Sequence, residues 1–136
     1  MLSENILRRY GGVLALLLAG PVVAAAGSGA LRGRLAEVVD GEPLRLLTLD
    51  GETFELIADS GLDRTLRDPQ LSDRMWELRG ALLDDGRFEL EKIFTVKQGQ
   101  LHRVTYYCVI CHITTHEPGL CMCCQDDTDL RELPGE

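Results

Sequence analysis

All five cysteines of this chain fall in one short segment, between Cys108 and Cys124, and this grouping constrains the fold and function more than any other feature. Cys108 and Cys111 form one Cys-x-x-Cys pair, and Cys121 and Cys124 form a second after a nine-residue loop. Each pair places two sulfur atoms on one tight turn, and together they supply the four thiolates of a tetrahedral Zn²⁺ site. The sequence therefore predicts a metal site with these four ligands and favours structural zinc.

Two other chemistries fit the same segment. Cys108, Cys111 and His112 form a Cys-x-x-Cys-His motif, the attachment sequence of haem c, in which His112 would ligate iron and Met122 or His116 would be the second ligand. In an oxidising compartment the cysteines could instead form disulfides, with one of the five thiols left over. A c-type haem electron carrier and a disulfide-stapled interaction module without metal therefore stay open as alternatives.

Several side chains near the cysteine pairs have roles that spacing alone does not fix. Cys123 either replaces its neighbour as a ligand or remains a spare thiol. His112 and His116 are four positions apart, so a local helix would bring them together as a further site, and otherwise they are solvated loop residues. His102 is expected at the surface, next to a linker at residues 98–101, and the acidic end of the chain is expected to be solvated.

Residues 27–98 contain short β-type segments separated by turn signals. The Asp50-Gly51 dipeptide lies between the apolar runs 44–49 and 53–57. This arrangement predicts a hairpin, because both turn residues tolerate positive φ. The earlier run 31–39 supplies one more strand, so three strands are expected before the first helix signal.

The second half of this region predicts one helix and two longer strands. Ser60 is expected to cap a short helix, with Asp63 three residues further on as in a capping box. Residues 76–82 and 88–96 alternate apolar and polar side chains in the manner of half-buried strands. The alternation fails at Lys92, where we expect a β-bulge.

This order of elements, three strands, a helix and two strands, resembles the OB-fold, a five-stranded Greek-key barrel. We therefore expect a mainly β fold: a small five-stranded OB-like barrel with one short helix at residues 27–98. Residues 99–136 are expected to form a zinc-ribbon-like cysteine knuckle followed by the acidic tail.

The cysteine segment itself resembles the heavy-metal-binding domain of copper and silver efflux proteins and of some copper-transporting ATPases. The matching positions are Tyr106, Cys108, Cys111, Pro118, Gly119, Cys121 and Cys124. The resemblance implies metal binding by the four cysteines and a link to metal homeostasis in the cell envelope. Ile110 and Asp126 stand where that family has methionine, so the thioether ligands that favour Cu(I) are missing.

The first 26 residues have the features of an export signal. Arg8 and Arg9 give a positive start, and an apolar run follows that ends in the small residues Ala24–Ala26. The apolar stretch 11–26 is shorter than the roughly 20 residues that a membrane-spanning helix needs. We predict a signal peptide at residues 1–26 and an exported, periplasmic or extracytoplasmic protein with no stable membrane span after cleavage. The alternative is an uncleaved N-terminal membrane anchor.

Charge and residue types narrow the expected partners. Acidic residues outnumber basic ones 22 to 14, whereas a nucleic-acid binder needs a basic surface, so no nucleic-acid partner is expected. The aromatic side chains of the strands are expected to face the core: Phe54, Trp76, Phe88 and Phe94. The outward positions between them are acidic: Glu55, Glu77, Glu89 and Glu91.

The sequence contains no pattern typical of a catalytic site. There is no nucleophile–base pair, no phosphate-binding loop and no open metal triad, so we do not expect an enzyme. The features together predict an exported accessory protein that binds a metal ion, with a protein as a further candidate partner.

Overall fold

The computed structural model describes residues 27–136, so the predicted signal peptide lies outside the described part of the chain. The helix α1 spans Ser60–Leu66, and a 3-10 turn spans Pro69–Leu71. The strands are β1 (Ser28–Leu35), β2 (Arg45–Thr48), β3 (Thr53–Ile57), β4 (Met75–Leu82), β5 (Phe88–Lys97), β6 (Gln100–Cys108), β7 (Ile113–Thr115) and β8 (Asp129–Pro134). Over residues 27–136, no helix is long and apolar enough to cross a membrane.

The first five strands close into a ring. Strand β1 pairs with β2 and β4, β2 pairs with β3, and β4 pairs with β5, all in antiparallel fashion. A short parallel pairing between β3 and β5, at Leu56–Phe88 and Ile57–Glu89, completes the ring. Helix α1 connects the third strand to the fourth. The expected mainly β fold, with a small closed barrel and one short helix, is therefore confirmed.

A β-bulge bends the longest strand of the barrel. The register between β4 and β5 shifts between Arg79 and Gly80, whose partners are Lys92 and Leu90. The bulge expected near Lys92 is therefore confirmed. Gly80 is required for this close approach, because a Cβ atom there would lie 1.8 Å from the backbone oxygen of Glu89. The bulge increases the local bend and twist, which a closed ring of few strands needs.

The barrel interior is filled by apolar side chains from the ring, from α1 and from β6. The largest fully buried ones are Leu46, Leu66, Leu71, Trp76, Leu78 and Tyr106. Tyr106 belongs to β6, and its hydroxyl donates a 2.6 Å hydrogen bond to Oδ2 of Asp68, in the turn after α1. Burial, reinforced by this hydrogen bond, raises the pKa of Tyr106 far above its ordinary value. Tyr106 therefore fixes β6 to the barrel core two residues before the first cysteine.

Two side chains on the outer face of the barrel, Phe94 and Glu77, have surroundings that differ from expectation. Phe94 is buried as expected, at 5% exposed, but it lies opposite Glu77 on the outer face of the barrel, because the bulge shifts the in–out alternation of β5 by one position. The Arg79 guanidinium covers the Phe94 ring, 4.8 Å from its centroid. Glu77 was expected in solvent but is only 6% exposed. Its carboxylate is covered by ion pairs of 2.9 Å with both Arg32 and Arg79.

Helix α1 is capped by Asp59 rather than by Ser60. The Asp59 carboxylate accepts a 2.8 Å hydrogen bond from the backbone N–H of Leu62, and Ser60 is already the first helical residue. An acidic N-cap also interacts favourably with the positive end of the helix. The expected cap was one residue too late, since aspartate and serine cap helices equally well and stand side by side here.

The residues after the barrel form strands, so the expected linker is wrong, and the acidic tail pairs as a strand although most of its residues are exposed as expected. Gln98 and Gly99 make a tight turn with positive φ, and β6 follows directly as the hairpin partner of β5. Strand β8 then pairs antiparallel along β6, from His102–Pro134 to Tyr107–Asp129. His102 is therefore half-buried in a strand.

A nearly buried carboxylate fastens β8 to the barrel. Glu132 forms ion pairs with Lys97 and, at 3.1 Å, with Arg74, and its side chain is 7% exposed. Burial opposes ionisation, but the hydrogen bonds from Lys97 and Arg74 outweigh it and hold the pKa of Glu132 below its ordinary value. Because β8 is held in this way, β6 has neighbours on both edges and presents its last residue, Cys108, in a fixed position.

Candidate metal centre

The first cysteine pair forms a tight turn at the end of β6. The backbone N–H of His112 donates a 2.9 Å hydrogen bond to the carbonyl of Cys108, and His112 has a φ of 56°. The backbone N–H of Cys111 points to the Cys108 sulfur at 3.4 Å. The turn therefore directs the sulfur atoms of Cys108 and Cys111 to the same side of the chain.

The second pair is closed by the same type of backbone hydrogen bond as the first. The N–H of Gln125 donates a 2.9 Å hydrogen bond to the carbonyl of Cys121, and Gln125 has a φ of 62°. The Cys121 sulfur accepts from the N–H of Cys123 at 3.4 Å. Gln125 thus occupies the position that His112 has in the first pair. We call residues 108–112 and 121–125 the first and second knuckle.

The loop between the knuckles is attached to helix α1. The Arg64 guanidinium donates to the carbonyl of Pro118 at 2.9 Å and forms a 2.9 Å ion pair with Glu117. Gly119 takes a φ of 132°, and its carbonyl accepts a 2.7 Å hydrogen bond from the Thr128 hydroxyl. These contacts turn the chain back, so that the second knuckle faces the first.

The four predicted ligands meet at one point. The sulfur atoms of Cys108, Cys111, Cys121 and Cys124 all lie within 4.8 Å of one another, and those of Cys108 and Cys124 are 3.5 Å apart. A tetrahedral ion with metal–sulfur bonds of about 2.3 Å would place its ligands about 3.8 Å apart. In residues 27–136, this is the one group of three or more such ligand atoms close enough to hold a metal. The arrangement fits a metal ion that is bound by four thiolates.

The site is buried on one side and open on the other. Cys108 and Cys121 are 1% and 2% exposed, whereas Cys111 and Cys124 are half-buried. Cys123 is exposed. All five thiols are free. Two ligands therefore anchor the site to the protein interior, and the other two close it toward solvent.

Hydrogen bonds within the cluster give its thiols different acidities. The backbone N–H groups of Cys124 and Cys123 lower the pKa of the Cys121 thiol to about 7, because they stabilise its negative charge. Hydrogen bonds with Cys123 and Cys124, together with burial, raise the pKa of the Cys111 thiol. A thiolate poised near neutral pH is the form in which cysteine binds a metal.

The histidines do not join the four sulfur atoms. Strand β7 lies between His112 and His116, so no helix brings the two rings together. The His112 ring forms a 2.7 Å hydrogen bond, through Nδ1, with the Tyr107 hydroxyl. The carbonyl of His116 accepts a 3.0 Å hydrogen bond from the Thr65 hydroxyl on α1. The interpretation of both as residues at the surface agrees with their exposure.

The contacts that position the second knuckle were not foreseen from the sequence. Arg64 and Glu117 are 53 residues apart, and Thr65 and His116 are 51 apart. No local pattern marks such pairs, because they arise only when α1 and the loop between the knuckles pack together. The left-handed backbone at His112 and Gln125 was also not predicted. It could have been expected, since each residue directly follows a Cys-x-x-Cys turn.

Fold and site together define a small β-barrel with a C-terminal cluster of four thiols that can hold a metal ion. Comparison with protein-family models, with curated proteins and with solved structures found no match for this chain. The chemistry of the cysteine cluster is therefore the basis for any inference about function.

Proposed function

We propose that this chain is an exported accessory protein that binds one Zn²⁺ ion through Cys108, Cys111, Cys121 and Cys124. The observation that carries the proposal is the convergence of the four sulfur atoms to within 4.8 Å of one another. The repeated knuckle geometry supports it, since N–H groups directed at sulfur favour the thiolate form that a metal requires.

The proposed role of the metal is structural. Four thiolates fill a tetrahedral shell and leave no open position for water or substrate, unlike the three-ligand sites of zinc enzymes. The ion would join the end of β6 to the second knuckle, which follows the loop that Arg64 attaches to α1. We therefore do not propose an enzymatic activity.

Zinc is preferred to haem as the occupant. Haem attachment at Cys108, Cys111 and His112 would use two thiols that protrude toward the porphyrin, whereas Cys108 is buried and packed near Cys124. Haem attachment would also not explain why Cys121 lies close to the first knuckle. A disulfide-stapled knuckle remains the competing chemistry, and the experiment below separates the three.

The test is elemental analysis of the purified protein beside a visible spectrum and a free-thiol count. One zinc per chain without a Soret band is expected. Cys121→Ser should lose the metal, whereas Cys123→Ser, a matched change one position from a ligand, should keep it. Iron with a covalent Soret chromophore would replace the proposal with a haem carrier, and absent metal with one free thiol would replace it with a disulfide module.

Export and a role in envelope metal homeostasis form the second part of the proposal. The signal-like residues 1–26 and the resemblance of the knuckles to heavy-metal-binding domains of efflux proteins support it. Cell fractionation followed by N-terminal sequencing tests it. We expect the protein in the envelope fraction with a new terminus near Gly27, and an intact terminus in the cytoplasm would contradict export.

Exposed apolar side chains at the knuckle tips support a protein partner. Val109, Ile110 and Met122 are exposed, Met122 to 88%. A photo-crosslinking residue at position 122 should capture a protein in the envelope, whereas the same residue at Leu49, also exposed but on the barrel, should not. Equal crosslinking at both positions would contradict a specific contact.

A further inference from the structure

A cleft opens where β5 and β6 separate. The two strands pair only over residues 95–97 and 100–102, next to the turn that joins them. Away from that turn, β5 pairs with β3 along the same edge, and β6 pairs with β7. Residues 90–94 of β5 and 103–105 of β6 therefore have no strand partner on the edges that face each other. Peptide groups on such edges are free to bind water or a ligand.

The inner lining of this cleft is apolar. Its volume is about 360 Å³, which lies within the range of small-molecule sites. Leu62 of α1, Ile93 and Val104 line it, and all three belong to the barrel core or pack against it. Phe94 adds an aromatic side chain to the lining. A ligand in the cleft would therefore bury an apolar body against the edge of the core.

The charged groups of the cleft include two cations without an ion pair. Arg79 is already held by two carboxylates, at 2.9 and 2.7 Å, and one of them, Glu136, also lines the cleft. Lys92 and Arg103 are exposed and form no ion pair within residues 27–136. The remaining lining carboxylate, Glu91, is exposed as well. In a chain with a net charge of −8, this local excess of positive charge favours an anion.

We propose that this cleft binds a small amphipathic carboxylate. Its apolar body would lie between β5 and β6, and its carboxylate would meet Lys92 and Arg103. Arginine suits this ligand class, because its planar guanidinium offers two parallel N–H donors to a carboxylate. The cleft has room for about twelve non-hydrogen atoms, if each takes about the 30 Å³ of a liquid water molecule. A medium-chain fatty acid such as decanoate has this size.

An extended peptide fits the cleft less well. The open edge of β6 is limited to residues 103–105, because β5 pairs before this stretch and β7 pairs after it. At the rise of a β-strand this edge is only about 10 Å long. A strand added here would gain few backbone hydrogen bonds, whereas a small carboxylate needs none of the ladder.

The binding test uses the whole purified protein and decanoate as the probe. Isothermal titration calorimetry should give a Kd below about 1 mM. Decan-1-ol, which has the same chain without the charge, should bind at least about tenfold more weakly. Amide chemical shifts in NMR spectra should change on addition of decanoate at residues 91–94 and 103–104, and much less in the second knuckle.

Arg103→Gln tests the contribution of charge. The side chain is exposed and unpaired, so the variant should fold, which circular dichroism checks. We expect its affinity for decanoate to fall about tenfold or more, the effect of a lost charged hydrogen bond. Lys92→Gln should weaken binding in the same direction. The matched control is Arg45→Gln, which removes an exposed arginine of β2 that forms no ion pair in the described chain and should leave the affinity within about twofold.

Several results would overturn the proposal. Absence of decanoate binding, equal binding of decan-1-ol, or equal losses in Arg103→Gln and Arg45→Gln would each do so. Tighter binding of a capped acidic tetrapeptide than of decanoate would make the cleft a peptide site instead. None of the cysteines lines the cleft, so decanoate binding should survive treatment with a metal chelator. The ligand site and the metal site can therefore fail independently.

Discussion

The Tyr106 hydroxyl is one of the groups that attach the cysteine segment to the barrel. The Tyr106 hydroxyl donates to the buried carboxylate of Asp68, so Tyr106→Phe leaves that carboxylate with one donor fewer. We expect the free energy of unfolding to fall by about 1–3 kcal/mol, the cost of an unsatisfied buried polar group. Urea denaturation measures it. The control is Tyr107→Phe, which removes an exposed hydrogen bond to His112 and should cost less than about 1 kcal/mol. Equal losses of unfolding free energy in the two variants would show that the hydrogen bond to Asp68 contributes no more than an exposed one.

Single residues also mark where sequence patterns succeed and where they fail. The four cysteines were identified by spacing alone, because a thiol pair on a tight turn is a local feature. The burial of Glu77 was missed, because the arginine that covers it from β1 is 45 positions away. The burial of Phe94 was predicted correctly, but its sheet face was not, because the bulge was predicted without its effect on every residue after it. Local periodicity cannot show whether the residues before or after a bulge keep the expected in–out alternation of side chains.

At the scale of strands, the bulge between β4 and β5 depends on a glycine, Gly80. A methyl group at Gly80 would meet the backbone of Glu89 at 1.8 Å, whereas at Gly29, its cross-strand partner on β1, it would meet nothing within 4 Å. We expect Gly80→Ala to lower the free energy of unfolding by about 3 kcal/mol or more, since backbone must move. Gly29→Ala should change it by about 0.5 kcal/mol or less. Thermal unfolding of both variants tests this, and similar melting temperatures would contradict it.

The ion pairs of Glu132 hold strand β8, so the attachment of this strand should depend on pH. The folded-state pKa of Glu132 is lowered below its ordinary value of 4.5. Its ion pairs therefore stabilise the fold above about that pH, and the stabilisation is lost as the pH falls through the lowered value. We expect Glu132→Gln to be less stable than wild type at neutral pH, with the difference shrinking on acidification. Denaturation at a series of pH values measures the gap.

The control for this prediction is Glu136→Gln. Glu136 also pairs with an arginine, Arg79, but its carboxylate is exposed and the pair is screened by solvent. This variant should differ little from wild type at any pH. If the difference in free energy of unfolding between wild type and Glu132→Gln stays constant with pH, then packing, and not charge, holds β8.

For the whole molecule, removal of the metal should reduce the stability of the cysteine segment and leave the barrel unaffected. The fully buried apolar residues belong mainly to the barrel and α1, while the segment 109–128 contains little core beyond the cysteines. We expect a chelator to speed amide hydrogen exchange in 109–128 and to leave β1–β5 protected. Adding zinc back at a hundredfold excess over its Kd should restore about 2.7 kcal/mol to the metal-dependent transition. A uniform rise in exchange would show that the metal supports the barrel as well.

Much of the architecture was accessible from the sequence because its signals are local. The Asp50-Gly51 turn, the alternating runs of β4 and β5 and the short helix predicted the order of elements that closes into the five-stranded ring. The end of the chain gave no such signal. Strand β8 is short and acidic, and its pairing with β6 is set by ion pairs to Arg74 and Lys97, which come from distant parts of the chain.

The sequence by itself determined which residues can serve as ligands and that they come in two equivalent pairs, because a Cys-x-x-Cys turn fixes its own geometry. The tertiary structure decided that the two pairs face each other. That depends on the anchoring of β6 by Tyr106 and on the attachment of the loop between the knuckles to α1 by Arg64. The physical reason is range: turns and strand alternation are encoded over a few neighbouring residues, whereas convergence of side chains requires contacts that only the packed chain creates.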